Sequence, residues 1–249
     1  MVSGEDKKTT AALVIIGNEI LSGKVNDSNS GFLARQLRKA GVSLERVLVI
    51  PDDIDTIATE VAACAAAYHL VFTSGGVGPT HDDVTIGGVA KAFGRPVVEH
   101  GGLRSAIEQA VGDDPGSPFL KMAEVPEGAE LIASEGQHFP SVKIENVYVL
   151  PGIPEIFEPK VEALCLQFTT SPYHMRQVLV SATETHIAGH LSATLEAFPA
   201  LMLGSYPKLG DDEYRVRLTL ESKDEAYLDS ALEDLVGRIP ADYIVKIER

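Results

Sequence analysis

Residues 73–85 read Thr-Ser-Gly-Gly-Val-Gly-Pro-Thr-His-Asp-Asp-Val-Thr and begin at the end of the apolar run 70–73. Glycines allow a backbone to approach a ligand closely and to turn its amides toward it. A helix is predicted from about Asp83 to Phe93, and its positive amino-terminal end points the same way. The string therefore predicts a turn between a buried strand and a helix that suits phosphate or another oxyanion.

The alternation of strand and helix extends on both sides of this string. Continuous apolar runs predict strands at 10–16, 47–50 and 142–150, and apolar residues at helical spacing predict helices at 29–40, 54–68, within 101–123 (interrupted at 112–116) and at 156–168. The order β-α-β-α-β-α is typical of an α/β fold with a doubly wound, mostly parallel sheet. We assign this domain to residues 9–170.

A second, smaller domain is predicted for residues 174–249, after a linker at 169–172. Its elements follow one another as strand, helix, strand, strand, helix and strand, at 177–183, 186–198, 201–206, 214–220, 224–239 and 243–247. This order is that of the α+β ferredoxin-like unit.

The composition limits the classes of partner. Of 249 residues, 45% are hydrophobic and 23% charged, which is typical of a globular chain. The formal net charge of -15 repels nucleic-acid backbone and anionic lipid, so neither nucleic acid nor membrane is expected as a partner. No apolar run approaches the roughly 18 residues of a membrane helix, and no signal peptide opens the chain. A cytoplasmic protein is expected.

Two carboxylates, Asp82 and Asp83, lie in the glycine-rich string. They are poorly placed against a bare phosphate, and a divalent cation that bridges them to it would explain them. The alternative is that one of them only caps the following helix. The string lacks the third glycine of the dinucleotide fingerprint, and the chain contains neither a P-loop nor a G-x-S-x-G or H-E-x-x-H motif.

Three further turns follow predicted strands. Ligands of open parallel sheets bind outside the carboxyl ends of the strands. Glu19, with Asn26 and Asp27, is therefore expected to reach the same crevice as Asp83, although an acidic loop residue beside a helix cap is an equal alternative. Asp52 has the same ambiguity. The turn at 151–154, Pro-Gly-Ile-Pro, forms a wall of the pocket or simply ends a strand.

Three of these segments resemble one family. Gly-Asn-Glu-Ile-Leu at 17–21, the string at 73–85 and Leu-Pro-Gly-Ile-Pro-Glu at 150–155 resemble the molybdopterin-binding (MoaB/MogA-like) domain. Within it they look most similar to the amino-terminal domain of the CinA proteins and of the longer FAD synthases. Leu-Gly-Ser-Tyr-Pro at 203–207, followed by 214–220, resembles the small domain of the FAD synthase type. The resemblance covers nearly the whole chain.

The resemblance implies roles for individual residues. It implies catalytic roles for Asp83 and Asp52, and we expect Asp83, Glu19 and Asp82 to hold a metal ion. Ligand binding is expected at Gly17, Glu19, Thr73, Gly75, Gly76, Gly78, Pro79, Thr80, Pro151 and Gly152. The expected cofactor is a divalent metal ion (Mg, Co, Ni or Mn), with a monovalent cation as a further candidate. Assembly as a dimer or trimer is also implied.

The function implied by the resemblance is metal-dependent hydrolysis of a nucleotide diphosphate such as ADP-ribose or FAD. Two alternatives are open. One is a molybdopterin-binding or adenylyl-transfer protein of molybdenum cofactor biosynthesis, and the other is a nucleotide-binding module without catalysis. The 249 residues contain no counterpart of the amidohydrolase of CinA or of the adenylyl-transferring domain of FAD synthase, so those activities are not expected.

Overall fold

The computed structural model describes residues 9–111, 118–133, 139–168, 171–208, 210 and 213–248. The chain divides into two compact units, with the boundary between Thr170 and Ser171. Among the helices of the described ranges, none is both long and apolar enough to cross a bilayer.

The first unit alternates strands and helices. In chain order its elements are β1 (Thr10–Ile16), α1 (Asn18–Leu21), α2 (Asn29–Lys39), β2 (Ser43–Ile50), α3 (Ile54–Ala67), β3 (Leu70–Ser74), α4 (Thr85–Ala92), β4 (Val97–Glu99), α5 (Gly101–Val111), a 3₁₀ turn (Pro118–Ala123), β5 (Glu124–Pro126), β6 (Glu130–Ile132), β7 (Ser141–Ile144), β8 (Val147–Leu150) and α6 (Pro154–Cys165). Six strands form one sheet in the order β2-β1-β3-β8-β7-β6. The first four are parallel, and β7 runs antiparallel to both of its neighbours, β8 and β6. The predicted mostly parallel α/β fold is confirmed.

Side chains of β1 enter two separate cores. Leu13 and its alternate neighbours pack with apolar residues of α2 and α6. Val14 and its alternate neighbours pack with residues of α3 and α4. Because successive side chains of a strand point to opposite faces, a strand that is apolar throughout requires helices on both sides. The result is three layers.

The predicted strand at 142–150 is wrong in one respect. It is two strands, β7 and β8, joined by a turn in which Glu145 has a φ of 50°. The turn was hidden because apolar residues flank it closely. The short pair β4 and β5 was also not predicted. Within 101–123, a helix and a 3₁₀ turn are present, while the predicted interruption at 112–116 lies outside the described residues.

The order of the strands reverses next to β1. The chain passes from β1 to β2 on one side and later to β3 on the other. A crevice at the carboxyl ends of β1 and β3 is the expected ligand position in such sheets. The loops that follow these two strands therefore hold the candidate site.

Apart from a 3₁₀ turn at Ala241–Tyr243, the described residues of the second unit form four strands and two helices. They are β9 (His174–Val180), α7 (Glu184–Ala197), β10 (Met202–Pro207), β11 (Val216–Ser222), α8 (Glu225–Arg238) and β12 (Ile244–Glu248). The antiparallel sheet has the order β10-β11-β9-β12. This is the ferredoxin-like arrangement that the sequence predicted.

Candidate functional site

Two glycines shape the loop that follows β3. Gly75 has a φ of +108°, and a Cβ added there would lie 2.1 Å from the carbonyl oxygen of Ile16. Gly76 has a φ of +63°, and its Cβ would lie 2.4 Å from Thr85 Oγ1. Residues with a side chain rarely adopt such angles, so both positions require glycine.

Hydrogen bonds hold this loop in place from two sides. The Gly75 amide donates to the carbonyl of Leu150 at 3.1 Å, and the Thr85 amide donates to the carbonyl of Gly76 at 3.0 Å. The buried Thr85 hydroxyl donates to the carbonyl of Gly75 at 2.8 Å. Within the described ranges, the amides of residues 76–78 donate to no acceptor. They are free to bind an anion.

The carboxylates of Asp82 and Asp83 both lie within hydrogen-bonding distance of the Thr80 hydroxyl. Asp83 Oδ2 accepts hydrogen bonds from the amide of Thr80, at 2.8 Å, and from its hydroxyl. Asp82 Oδ1 lies 2.6 Å from the same hydroxyl oxygen, and this hydrogen bond lowers the pKa of Asp82. A hydroxyl has one proton to donate, so it serves only one of the two carboxylates fully.

Neither aspartate caps the following helix. Helix α4 begins at Thr85, after Val84 as the N-cap residue, and no side-chain hydrogen bond caps it. The predicted helix start at Asp83 is therefore wrong by two residues. The capping alternative is wrong as well, because the Asp83 carboxylate folds back over the loop. A Cβ at Gly78 would lie 2.7 Å from Asp83 Oδ2.

A cavity of about 470 Å³, the main cavity, lies beside this loop. Residues 76–78, Asp83 and Pro151 line it. Much of its wall is apolar and includes Ile54, Ile86, Leu103, Phe139, Val149 and Ile156. Its volume falls within the roughly 300–1,000 Å³ of pockets that bind small molecules.

The main cavity also contains polar residues that sequence reasoning missed. Lys121 lines it and donates a hydrogen bond to the carbonyl of Thr80. Lys160 lines it with only 5% of its surface exposed and donates to the carbonyl of Phe139. Burial lowers the pKa of Lys160 to about 8. Ser141, 2% exposed, also lines the cavity, and its hydroxyl has no partner within the described residues.

The sequence carried one signal for Lys160. Helix α6 buries residues 157, 160, 161 and 164, which is the spacing of one helical face. A lysine at such a position is rarely buried without a reason. Ser141 and Lys121 have no comparable local signal, because tertiary contacts alone bring them to the cavity.

A second, smaller cavity of about 70 Å³ lies at the carboxyl ends of β1 and β3. Glu19, Asn26, Asp27, Asn29, Gly75 and Gly152 are among the residues that line it. Asp83 is not one of them, so the predicted common crevice is in fact two cavities. The glycine turns separate them: a Cβ at Gly152 would lie 3.2 Å from the Cα of Gly75.

Asn29 connects the walls of the smaller cavity. Its Nδ2 donates to Ser74 Oγ at 2.9 Å and to the carbonyl of Gly152 at 2.8 Å. Its Oδ1 is buried and has no partner within the described part of the chain. The Glu19 carboxylate lies against Gly17, where an added Cβ would be 2.5 Å from Glu19 Oε1.

The remaining predicted residues lie around these cavities. Asp52 is not among the residues that line either one, and its Oδ2 accepts a hydrogen bond from the amide of Asn18 at 2.8 Å. Thr73 is buried in β3, and Pro79 is half-buried between the glycines and Thr80. In the described ranges, no three His, Cys, Asp or Glu side chains cluster closely enough to hold a metal ion.

Comparison with known proteins agrees with this architecture. A family model described as a probable molybdopterin binding domain matches residues 12–170. The chain belongs to this family. A second model, the middle domain of FAD synthase, matches residues 172–248 of this molybdopterin-binding-domain protein. The family predicted from the sequence is confirmed.

Relatives cover the chain to different extents. A protein of Archaeoglobus fulgidus is 35% identical over 204 residues, which are 80% of this chain and 86% of the relative. A probable FAD synthase of Caenorhabditis elegans is 34% identical over 267 residues, 94% of this chain and 51% of the relative. The chain thus spans about half the length of that FAD synthase.

One solved structure is similar to part of this chain. It is the protein CinA, described as of unknown function, from Thermoplasma acidophilum. The TM-score is 0.60 at 30% identity, and the match covers 65% of this chain and 98% of the other.

Proposed function

We propose that this chain binds a nucleotide diphosphate in the main cavity and hydrolyses its pyrophosphate. The observation that carries the proposal is that hydrogen-bond donors and carboxylates lie side by side at one cavity. Free backbone amides of residues 76–78 offer an anion site, and two carboxylates, Asp82 and Asp83, converge next to it.

The loop supplies the groups that would hold the diphosphate. Amides of a glycine-rich turn at a helix start bind phosphate oxygens. Lys121, which is anchored to the carbonyl of Thr80, adds a positive charge to the same cavity. The apolar wall would take the ring or sugar end of the ligand.

The carboxylate pair fits a divalent cation. Asp82 and Asp83 share a hydroxyl that can neutralise neither charge, and Mg²⁺ is typically held by one or two carboxylates together with substrate phosphates. When bound, such a cation offsets phosphate charge and lowers the pKa of a coordinated water. Glu19 lines the smaller cavity and is not part of this proposal.

The protein's own groups would act on the water and on the phosphate. Asp83 Oδ2 is engaged by Thr80, which leaves Oδ1 to orient the attacking water and accept its proton. A bond forms between the water oxygen and phosphorus, and the bridging P–O bond breaks with its electron pair on the departing phosphate. The amides of residues 76–78 would stabilise the charge that develops on phosphorus oxygens.

The test is release of AMP from FAD and from ADP-ribose, with and without Mg²⁺, Mn²⁺, Co²⁺ or Ni²⁺. We expect metal-dependent release, and we expect Asp83→Asn to lower kcat by about 100-fold or more, because it removes the proton acceptor. Asp55→Asn is the matched control, since Asp55 is exposed and pairs with Lys91. An Asp83→Asn protein with the wild-type rate would contradict the proposal.

A second candidate is molybdopterin binding or adenylyl transfer. The match of residues 12–170 to a model described as a probable molybdopterin binding domain favours it. Adenylylated molybdopterin is therefore a third ligand in the same assay. Reaction with this compound alone would support the second candidate, and saturable binding without any product would support a nucleotide-binding module.

A further inference from the structure

The main cavity has a buried polar end that the proposed hydrolysis does not use. Ser141 on β7 and Lys160 on α6 both line it, and they are 2% and 5% exposed. The Ser141 hydroxyl has no partner within the described residues. Lys160 donates to the carbonyl of Phe139, two residues before Ser141. The neighbouring wall is apolar, with Val142, Val149 and Ile156 among its residues.

The Ser141 hydroxyl is costly in the absence of a ligand. A buried hydroxyl without a partner has lost its hydrogen bonds to water. Alanine at 141 would avoid this cost, so the serine calls for a compensating partner. Lys160 lines the same cavity, where burial has removed much of its hydration and lowered its pKa.

We propose that Ser141 and Lys160 form a subsite that binds an acceptor oxygen of the ligand, carried either by a ring carbonyl or by a phosphate. A lysine ammonium offers donors and no acceptor, and the serine hydroxyl can add another donor. The partner is thus an electron-rich oxygen and not a cation. The subsite rests on the proposed function only in taking the main cavity as the ligand site.

Ligand binding at this subsite is expected to be accompanied by proton uptake. The acceptor oxygen stabilises the charged form of Lys160, so its pKa rises when the ligand binds. The complex then takes up protons between about pH 8 and pH 9. The other charged groups of the main cavity are Asp83, Lys121 and Glu124. If the proton uptake disappears in a Lys160→Met variant, it is assigned to Lys160 and not to these three residues.

The experiment uses the full chain and two probes. Riboflavin carries ring carbonyls without phosphate, and inorganic pyrophosphate carries phosphate without a ring. Titration calorimetry at pH 8.5, in buffers of different ionisation enthalpy, gives both affinity and proton uptake. Lys160→Met and Ser141→Ala are compared with wild type and with Lys143→Met, a control on β7 that pairs with Glu130 and is not among the residues of either cavity.

We expect Lys160→Met to bind one of the two probes about 10-fold or more weakly than the wild type does. The probe that is affected identifies whether the oxygen belongs to a ring carbonyl or to a phosphate. Proton uptake on binding of that probe should also be lost. Ser141→Ala is expected to weaken the same probe while its melting temperature stays equal or rises, because an unpaired hydroxyl is removed. Unchanged affinities, an equal loss in Lys143→Met, or no binding of either probe to the wild type would overturn the subsite.

A merely structural role gives a different result. Ser141→Ala would then lower the melting temperature and leave affinity unchanged, which also overturns the proposal. Failure of the hydrolase proposal is separate, because neither riboflavin nor the affinity measurement depends on AMP release or on Asp83.

Discussion

At the scale of single residues, Lys160 makes stability depend on pH. Its pKa is lowered by burial from 10.5 to about 8. Below pH 8 the lysine is charged in both the folded and the unfolded chain, and the folded state bears the full cost of burying the charge. Between about pH 8 and 10.5 the folded state loses its proton first, so this cost is relieved as pH rises.

We therefore expect the free energy of unfolding of the wild type to rise relative to that of Lys160→Met by roughly 2 kcal/mol between pH 7 and pH 10. Comparing the two proteins cancels the titration of the other groups. Urea unfolding at pH 7, 8, 9 and 10 measures the difference. A difference that stays constant over this range would show that Lys160 titrates normally in the folded protein.

Single residues also show how far the candidate site could be predicted. The glycines and Asp83 lie in one short string, and the requirement for glycine at 75 and 76 is local, so the sequence located them. Ser141 reaches the same cavity only through the pairing of β7 with β8. Such contacts leave no mark in the sequence near either residue.

At the scale of elements, helix α8 has a well-defined beginning. Asp224 is its N-cap residue, and its side chain accepts a hydrogen bond from the amide of Tyr227 at 3.0 Å. We expect Asp224→Ala to lower the free energy of unfolding by about 1 kcal/mol, because this amide loses its acceptor. Chemical denaturation measures the change. Asp224→Asn keeps an acceptor and should cost little, so equal losses in the two variants would contradict a capping role.

Elements differ in how well the sequence predicted them. Strand β1 is buried from Ala11 to Ile16, and its continuous apolar run predicted its bounds to the residue. The turn between β7 and β8 escaped because it consists of two polar residues, Glu145 and Asn146, with no glycine or proline. The sign of Glu145 φ, +50°, is unusual for that residue type and could not be anticipated.

At the scale of the whole molecule, each unit has its own core. The core of the second unit is built from buried residues of its strands and helices, such as Val178, Ile187, Leu218 and Leu232. We expect residues 171–249 to fold when produced alone, since such a core is what an independent domain requires. Far-ultraviolet circular dichroism and urea unfolding test this. A gradual transition without cooperativity would contradict it.

Two expectations about the whole molecule stay predictions. The resemblance implies a dimer or trimer, and the acidic composition predicts that the chain has no nucleic-acid partner. The acidic balance of 36 Asp and Glu against 21 Lys and Arg is consistent with the second expectation.

The contact between the turns at Gly75 and Gly152 has a consequence for divergence within the family. A Cβ at Gly152 would come within 3.2 Å of the Cα of Gly75, and Gly75 itself has no room beside Ile16. An added methyl group at 152 would thus press on a backbone that cannot retreat. Descendants of this chain are therefore expected to keep glycine at both positions, although the two lie 77 positions apart in the sequence.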